Sequence, residues 1–283
     1  MITPLFSACI IRTMIKYNWH THTSRCGHAV GTDEQYVQAA IKAGVKVLGF
    51  SDHAAYHAPN DGERMRYEQV QDYMDSINKL REKYKDQIKI HLGMEVECYQ
   101  SEWETLKKYR KEMEYLILGQ HNLALDGYSS YDITDREHLL QYVDQIDYAC
   151  AHSLCEYICH PDVCLWSYPR IDDSVKEAAQ LISQLSLKYD IPVELNCGSG
   201  VKDYGYKEYE DGWRNAYPTR AFFEVFAQNH NKVVNGMDIH DPEFFLTDQY
   251  LNKALSIVEG LDLNIIEHYD VLSAAEKHRQ CFF

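Results

Sequence analysis

The stretch DEQYVQAAIKAGVKVLGFSDH, residues 33–53, decides the fold. Its first half has helical spacing from Asp33 to Ala43 and stops at Gly44, with Thr32 or Asp33 placed to cap the amino end. Its second half, Lys46 to Ser51, is a short apolar run of strand length. Asp52 and His53 follow at the carboxyl end of that strand. A helix feeding a buried strand that ends in polar side chains is the repeating unit of an α/β protein.

The same unit recurs in both directions from this point. Helical spacing runs over Tyr67 to Tyr84, Asp135 to Gln145, Asp173 to Tyr189 and Thr219 to His230. Strands are predicted over Ile88 to Glu97, Tyr115 to Gly119, Tyr157 to His160, Pro192 to Asn196 and Lys232 to Gly236. Strand and helix alternate, so the sheet is expected to be largely parallel, either open or closed into a barrel. Gly198 to Pro218 is the longest stretch without periodicity, and long loops in compact domains are often functional. Nothing reads as an interdomain linker, so residues 15–283 are expected to form a single domain behind an N-terminal extension of residues 1–14.

The chain has 283 residues, of which 45% are apolar and 25% charged, ordinary proportions for a globular protein. A net charge of -15 argues against a nucleic-acid surface, which needs clustered Lys and Arg. A small anionic substrate stays possible, because bound cations reverse the local sign. The nine cysteines do not pair at zinc-finger spacing: Cys155 and Cys159 have no second close pair after them. They read as reduced, buried thiols. The apolar run Leu5 to Ile11 lacks a basic flank and a small-residue cleavage site, and no run has the length of a membrane span. The expectation is a cytoplasmic protein, with its oligomeric state open.

The histidines carry the chemistry. His20 and His22 sit two apart in His-Thr-His, so in a strand both imidazoles face one side. Such a pair alone fits packing as well as ligation. His28 follows in a Gly-flanked loop, and Asp52-His53, Glu95 and Glu97, His121, His160, and Asp238 with His240 each close a predicted strand. Sheets and barrels of this class gather their active sites at those carboxyl ends. Any one of these histidines could be satisfied by a backbone carbonyl. Together, so many buried imidazoles and carboxylates need counter-charges, and metal ions supply them. Nitrogen and oxygen ligands without paired thiolates suit zinc, manganese or iron, and more than one ion is needed to use them all.

The order His20-Thr21-His22, His28, Ser51-Asp52-His53, Gly93-Met94-Glu95, His121, His160-Pro161 and Asp238-Ile239-His240 resembles the polymerase-and-histidinol-phosphatase (PHP) superfamily. Glu194-Leu195-Asn196 through Tyr217-Pro218 to Asp238 resembles its histidinol-phosphatase branch, and the likeness runs from Trp19 to Pro242. The resemblance implies a distorted (β/α)7 barrel with two or three divalent ions at the carboxyl end of the strands. By motif it implies that His20, His22, Glu95 and Asp238 surround one ion, and that Glu95 bridges to a second held by His53 and His121. His28, His160 and His240 complete the set, and Glu95, Asp238 and His240 carry the catalytic weight. Glu97 lies on the same strand face as Glu95 and is the competing carboxylate.

The implied activity is a metal-dependent phosphomonoesterase acting on a small phosphorylated substrate, L-histidinol phosphate first. The alternatives are a phosphodiesterase or exonuclease of the same superfamily, which needs a basic groove, and a non-catalytic metal-binding protein, which would lack ligands. This chain departs from the family where arginines precede the counterpart of His160, for Ala151 to Cys159 contains none. Arg25, Lys202 and Arg214 are therefore the candidate phosphate grips. Arg25 comes first, because it lies between His22 and His28.

Overall fold

The central strands of the main sheet are buried, and every strand of that sheet after the first follows a helix. The computed structural model describes residues 15–57 and 62–282, so the expected N-terminal extension lies outside the described residues. In chain order the elements are β1 (Tyr17–Asn18), α1 (Asp33–Ala43), β2 (Val47–Phe50), α2 (Val70–Tyr84), β3 (Lys89–Val96), α3 (Trp103–Glu112), β4 (Tyr115–Leu118) and α4 (Arg136–Ala151). Then follow α5 (Asp173–Tyr189), β5 (Val193–Asn196), β6 (Tyr206–Tyr209), β7 (Gly212–Asn215), α6 (Arg220–Gln228), β8 (Lys232–Gly236), α7 (Gln249–Ile257), β9 (Asn264–Ile265) and α8 (Val271–Phe282).

Local chemistry sets the helix ends. The Thr32 hydroxyl accepts from the Gln35 amide while the Gln35 side chain accepts from the Thr32 amide, a reciprocal capping box that starts α1. Gly44 ends α1 at φ 83°, a conformation that glycine adopts without steric cost. Asp172 caps α5 by accepting from the amides of Ser174 and Val175.

All ladders of the main sheet are parallel. β1, β2, β3 and β4 lie side by side in chain order, and β5, β8 and β9 form a second group. Ile158 bridges both groups, to Leu118 on one side and to Val193 on the other. The strand expected over Tyr157 to His160 is thus reduced to single bridging contacts. A parallel bridge between Thr21 and Ile239 brings the carboxyl ends of β1 and β8 together. The result is an α/β fold with a curled parallel sheet. All four residues of β2, β4 and β5 are buried, as expected for a sheet covered on both faces.

Alternating strand residues divide the core. Leu48, Phe50, Leu92, Leu116, Leu118, Val193 and Leu195 face the helices. Tyr115, Ile117, Tyr157, Cys159 and Val234 turn inward with Val271 and Ala275 of α8. The Arg279 guanidinium of α8 donates to the carbonyls of Arg110, Met113 and Glu114, fixing that helix at the amino end of β4. The opposite, carboxyl ends are left to the polar residues.

The stretch from Gly198 to Pro218 is not irregular throughout: β6 and β7 form an antiparallel hairpin within it. No described helix is long and apolar enough to cross a membrane. Cys26, Cys98, Cys150, Cys155, Cys159, Cys164 and Cys197 are free and buried, and Cys281 is free and exposed.

Candidate metal centre

The candidate ligands arrive from the carboxyl ends of successive strands and meet around two carboxylates. Glu95, near the end of β3, is 1% exposed. Its Oε1 lies 2.9 Å from His160 Nε2, 3.5 Å from His20 Nε2 and 3.7 Å from His121 Nε2. Its Oε2 lies 2.8 Å from His53 Nδ1 and 3.7 Å from His22 Nε2. Asp238 Oδ1 is 3.1 Å from His22 Nε2, 3.2 Å from His240 Nδ1 and 3.6 Å from His20 Nε2. His28 stands at the outer edge, its ring 4.7 Å from that of His240 and 5.2 Å from that of His53. All nine sequence candidates are thus brought into one cluster.

The backbone is bent to make this possible. Asp238 and His160 hold positive φ, 47° and 25°. Side chains other than glycine seldom adopt such values, and they collect at functional sites.

These residues fit metal ions. His20 Nε2, both ring nitrogens of His22, His160 Nδ1, His240 Nε2, Glu95 Oε2 and Asp238 Oδ1 are buried without a hydrogen bond. Buried polar atoms are rarely left so, since each costs about 1–3 kcal/mol. Two ligands bound about 2.1 Å from one tetrahedral ion stand about 3.4 Å apart. The 3.1–3.7 Å separations of His20, His22 and His121 from the two carboxylates match that spacing. Ligand atoms of His20, His22 and Glu95 lie within 4.8 Å of one another, as do those of His22, His53 and His240.

Protonation of His22, His53 and His28 agrees with a ligand role, whereas against burial Glu194 raises His20 and Glu95 raises His160. Burial, and then neighbouring His240, push His22 down to about 3. Burial and His22 push His53 down to about 4, and burial with His53 does the same for His28. Imidazoles so depressed are neutral at pH 7 and present a lone pair. Burial alone would raise Glu95, but His53, His121 and His20 hold it well below the usual carboxylate range. Burial likewise opposes the ionised form of Asp238, and His20 and His240 outweigh it.

Glu97 separates from Glu95 here. It accepts from Arg64 Nη1 at 2.7 Å, from the Tyr99 hydroxyl at 2.5 Å and from the backbone amides of His121 and Asn122, both at 3.0 Å. Its oxygens are committed to holding the His121 loop.

Glu194 is a site residue that the sequence reading left without a role. It is fully buried in β5, 2.8 Å from His20 Nδ1, and accepts from the His160 amide at 3.0 Å. A carboxylate there fixes the His20 tautomer with Nε2 facing Glu95 and Asp238. Its signal was a lone carboxylate inside a buried strand, where a charge needs a partner. Glu194→Gln is expected to weaken metal affinity about 10–100-fold with the fold intact, as metal titration followed by circular dichroism would show. Unchanged affinity would leave Glu194 only a packing role.

Gly119 shows how tightly the cluster is built, for a Cβ there would lie 1.8 Å from Glu95 Oε1. Glu95 is walled in and must yield, so Gly119→Ala is expected to cost about 10–100-fold in kcat, of the order that small misplacements of reacting groups cost. Wild-type kinetics would mean that Glu95 has room to move without consequence.

The expected phosphate grips are not where the sequence put them. Arg25 Nη1 donates to both oxygens of Asp33, at 3.0 and 2.9 Å, and its Nε and Nη2 donate to Asp72 Oδ2 at 2.9 and 2.7 Å. Its loop is anchored beside the cluster, but two acidic helix residues turn the guanidinium toward α1 and α2. The Lys202 ammonium stands 4.5 Å from the centre of the Phe244 ring. Arg214 donates to the carbonyls of Tyr168 and Asn215 and lies over the Tyr209 ring. Beside the cluster opens a cavity of about 330 Å³, lined by His28, His53, His121, Arg64, Asn122 and Tyr131 among others. None of the three expected cations lines it.

The family profile of the PHP domain matches residues 18–198, more than half of the chain. The chain belongs to the PHP domain family. A protein of Deinococcus radiodurans assigned as a histidinol-phosphatase is 25% identical to this PHP chain over 237 residues, covering 79% of it and 85% of the relative. One from Schizosaccharomyces pombe with the same assignment is 23% identical over 266 residues, covering 83% and 85%. Among solved structures, the histidinol phosphate phosphatase of Lactococcus lactis, complexed with zinc, L-histidinol and phosphate, aligns with a TM-score of 0.65 at 16% identity. It covers 90% of this chain and 96% of its own. That likeness shows the shared fold.

Proposed function

We propose that this PHP protein is a metal-dependent phosphomonoesterase acting on L-histidinol phosphate or a similarly small phosphate ester. The observation that carries the reading is the cluster itself, in which nine histidines and carboxylates leave buried, unpartnered donor atoms at ion-sharing distances beside an open cavity. The names of the Deinococcus and Schizosaccharomyces relatives, and the products bound in the Lactococcus enzyme, point to the same substrate. We place two or three divalent ions, zinc, manganese or iron, in a distorted barrel of seven strands, β1 to β4, Ile158 in place of one, β5 and β8, with β9 added along β8.

His20, His22, Glu95 and Asp238 would hold one ion, and Glu95 would be shared with a second held by His53 and His121. His28, His160 and His240 would complete the set. Bound ions supply Lewis-acid charge for phosphoryl oxygens and a water acidified to a pKa of roughly 7. The chain's own residues keep that charge in place. Glu194 holds His20, Glu97 holds the His121 loop, and Glu95 and Asp238 stay ionised at the centre. His22 and His53, neutral at pH 7, need release no proton to serve.

A phosphate-release screen over phosphomonoesters, dinucleotides and single-stranded DNA tests the reading. Turnover of L-histidinol phosphate with the other classes untouched is expected. Preferential cleavage of a diester would replace the phosphomonoesterase with a phosphodiesterase.

A further inference from the structure

The cavity beside the metal cluster has one wall of candidate ligands, His28, His53 and His121, and a second wall that includes Glu63, Arg64, Glu97, Asn122 and Tyr131. Arg64 is the one Lys or Arg among the described residues of that lining. Its side chain is only 9% exposed. Glu97 Oε2 takes Nη1 at 2.7 Å, and the guanidinium stands 5.7 Å from the centre of the Tyr56 ring. The other oxygen of Glu97 accepts from the amide of His121, so one carboxylate fixes both the cation and the loop of a candidate ligand. Glu63, with a side chain 70% exposed and 3.3 Å from His28 Nδ1, puts negative charge at the outer edge. The cavity thus holds the Arg64–Glu97 pair at its depth and the Glu63 carboxylate at its mouth.

We propose, resting on the phosphatase reading, that Arg64 is the protein cation that receives the phosphoryl oxygens of the substrate in this cavity. A guanidinium held by a carboxylate beside an aromatic ring is pre-organised for the planar recognition of phosphate that arginine provides. The ester would enter with phosphate toward Arg64 and the cluster, and with its organic end toward Glu63.

The test uses the full-length, metal-loaded protein. Arg64→Gln and Arg64→Met, both leaving Glu97 in place, are assayed for metal content and kcat/KM. Competitive inhibition by inorganic phosphate and by L-histidinol is measured in parallel. The expected result is metal content as in wild type, a phosphate inhibition constant raised about 10–100-fold, and an L-histidinol constant changed far less. Arg64→Lys should recover part of the loss, since an ammonium keeps the charge and not the fork. Unchanged phosphate inhibition in the metal-replete variants overturns the proposal, and so does equal weakening for phosphate and alcohol. Calorimetric binding of inorganic phosphate asks the same question without turnover. A wild-type protein that binds phosphate but hydrolyses no phosphomonoester defeats the functional reading, and the Arg64 variants then decide the inference by binding alone. Wild-type protein that does not bind phosphate at all overturns the inference.

Discussion

Glu95→Gln is expected to lower kcat about 10³-fold and to remove at least one ion per chain, with circular dichroism and chromatographic behaviour unchanged. Glu95 has five imidazoles within 3.7 Å of its two oxygens, and no other acidic residue in the cluster is so placed. An amide offers one neutral oxygen where the carboxylate offers two charged ones, so it cannot serve both sides. Lewis-acid assistance is worth several kcal/mol, and each 1.36 kcal/mol is tenfold in rate, which sets the size of the loss. Glu97→Gln is expected to cost less, about 10–100-fold, because Glu97 acts on His121 through its backbone amide. Elemental analysis with steady-state kinetics on both variants checks the order. Equal losses, or a larger loss for Glu97→Gln, would move the central role to Glu97.

Asp238→Asn should come next, with about a 10²-fold loss in kcat/KM, reduced metal content and an unchanged melting temperature. The separation of activity from stability follows from the backbone. Asp238 sits at φ 47°, and asparagine is among the few residues that accept such a value as readily as aspartate. The substitution therefore leaves the turn in place and removes only the charge that His20, His22 and His240 surround. A variant that keeps its metal and its rate would make Asp238 a turn residue with no electrostatic part. A variant that loses both activity and several degrees of melting temperature would place its role in the fold.

Much of this architecture was legible in the sequence where local chemistry decides it. α1 and α5 begin and end as expected because Thr32, Gly44 and Asp172 are caps whose effect does not wait on the rest of the chain. The clustering of His20, His22, His53, His121, His160 and His240 was legible for a topological reason, since parallel strands deliver their carboxyl ends to one side of the sheet.

What was not legible depends on contacts made across the fold. The hairpin of β6 and β7 has few buried residues and no apolar stripe, and its signal was Asp211-Gly212 at the turn. The strand expected at Tyr157 to His160 shrinks to bridges at Ile158, where His160 is already turning at positive φ. Arg25 was placed by its neighbours in sequence, but Asp33 and Asp72, brought in by α1 and α2, decide where it points. Arg25→Ala should therefore act chiefly on stability. Glu97 and Glu95 share a strand face, and only the amides of His121 and Asn122 tell them apart.

The central claim is that this cluster of histidines and carboxylates holds metal ions that hydrolyse a small phosphate ester. It is tested most directly by measuring phosphate release from L-histidinol phosphate together with the metal content of the same sample, before chelation, after it and after metal is returned. The account predicts two or three zinc, manganese or iron ions per chain, activity lost on chelation, and activity restored with the metal. Protein that carries no stoichiometric metal and gains no phosphatase activity from any of the three would contradict it.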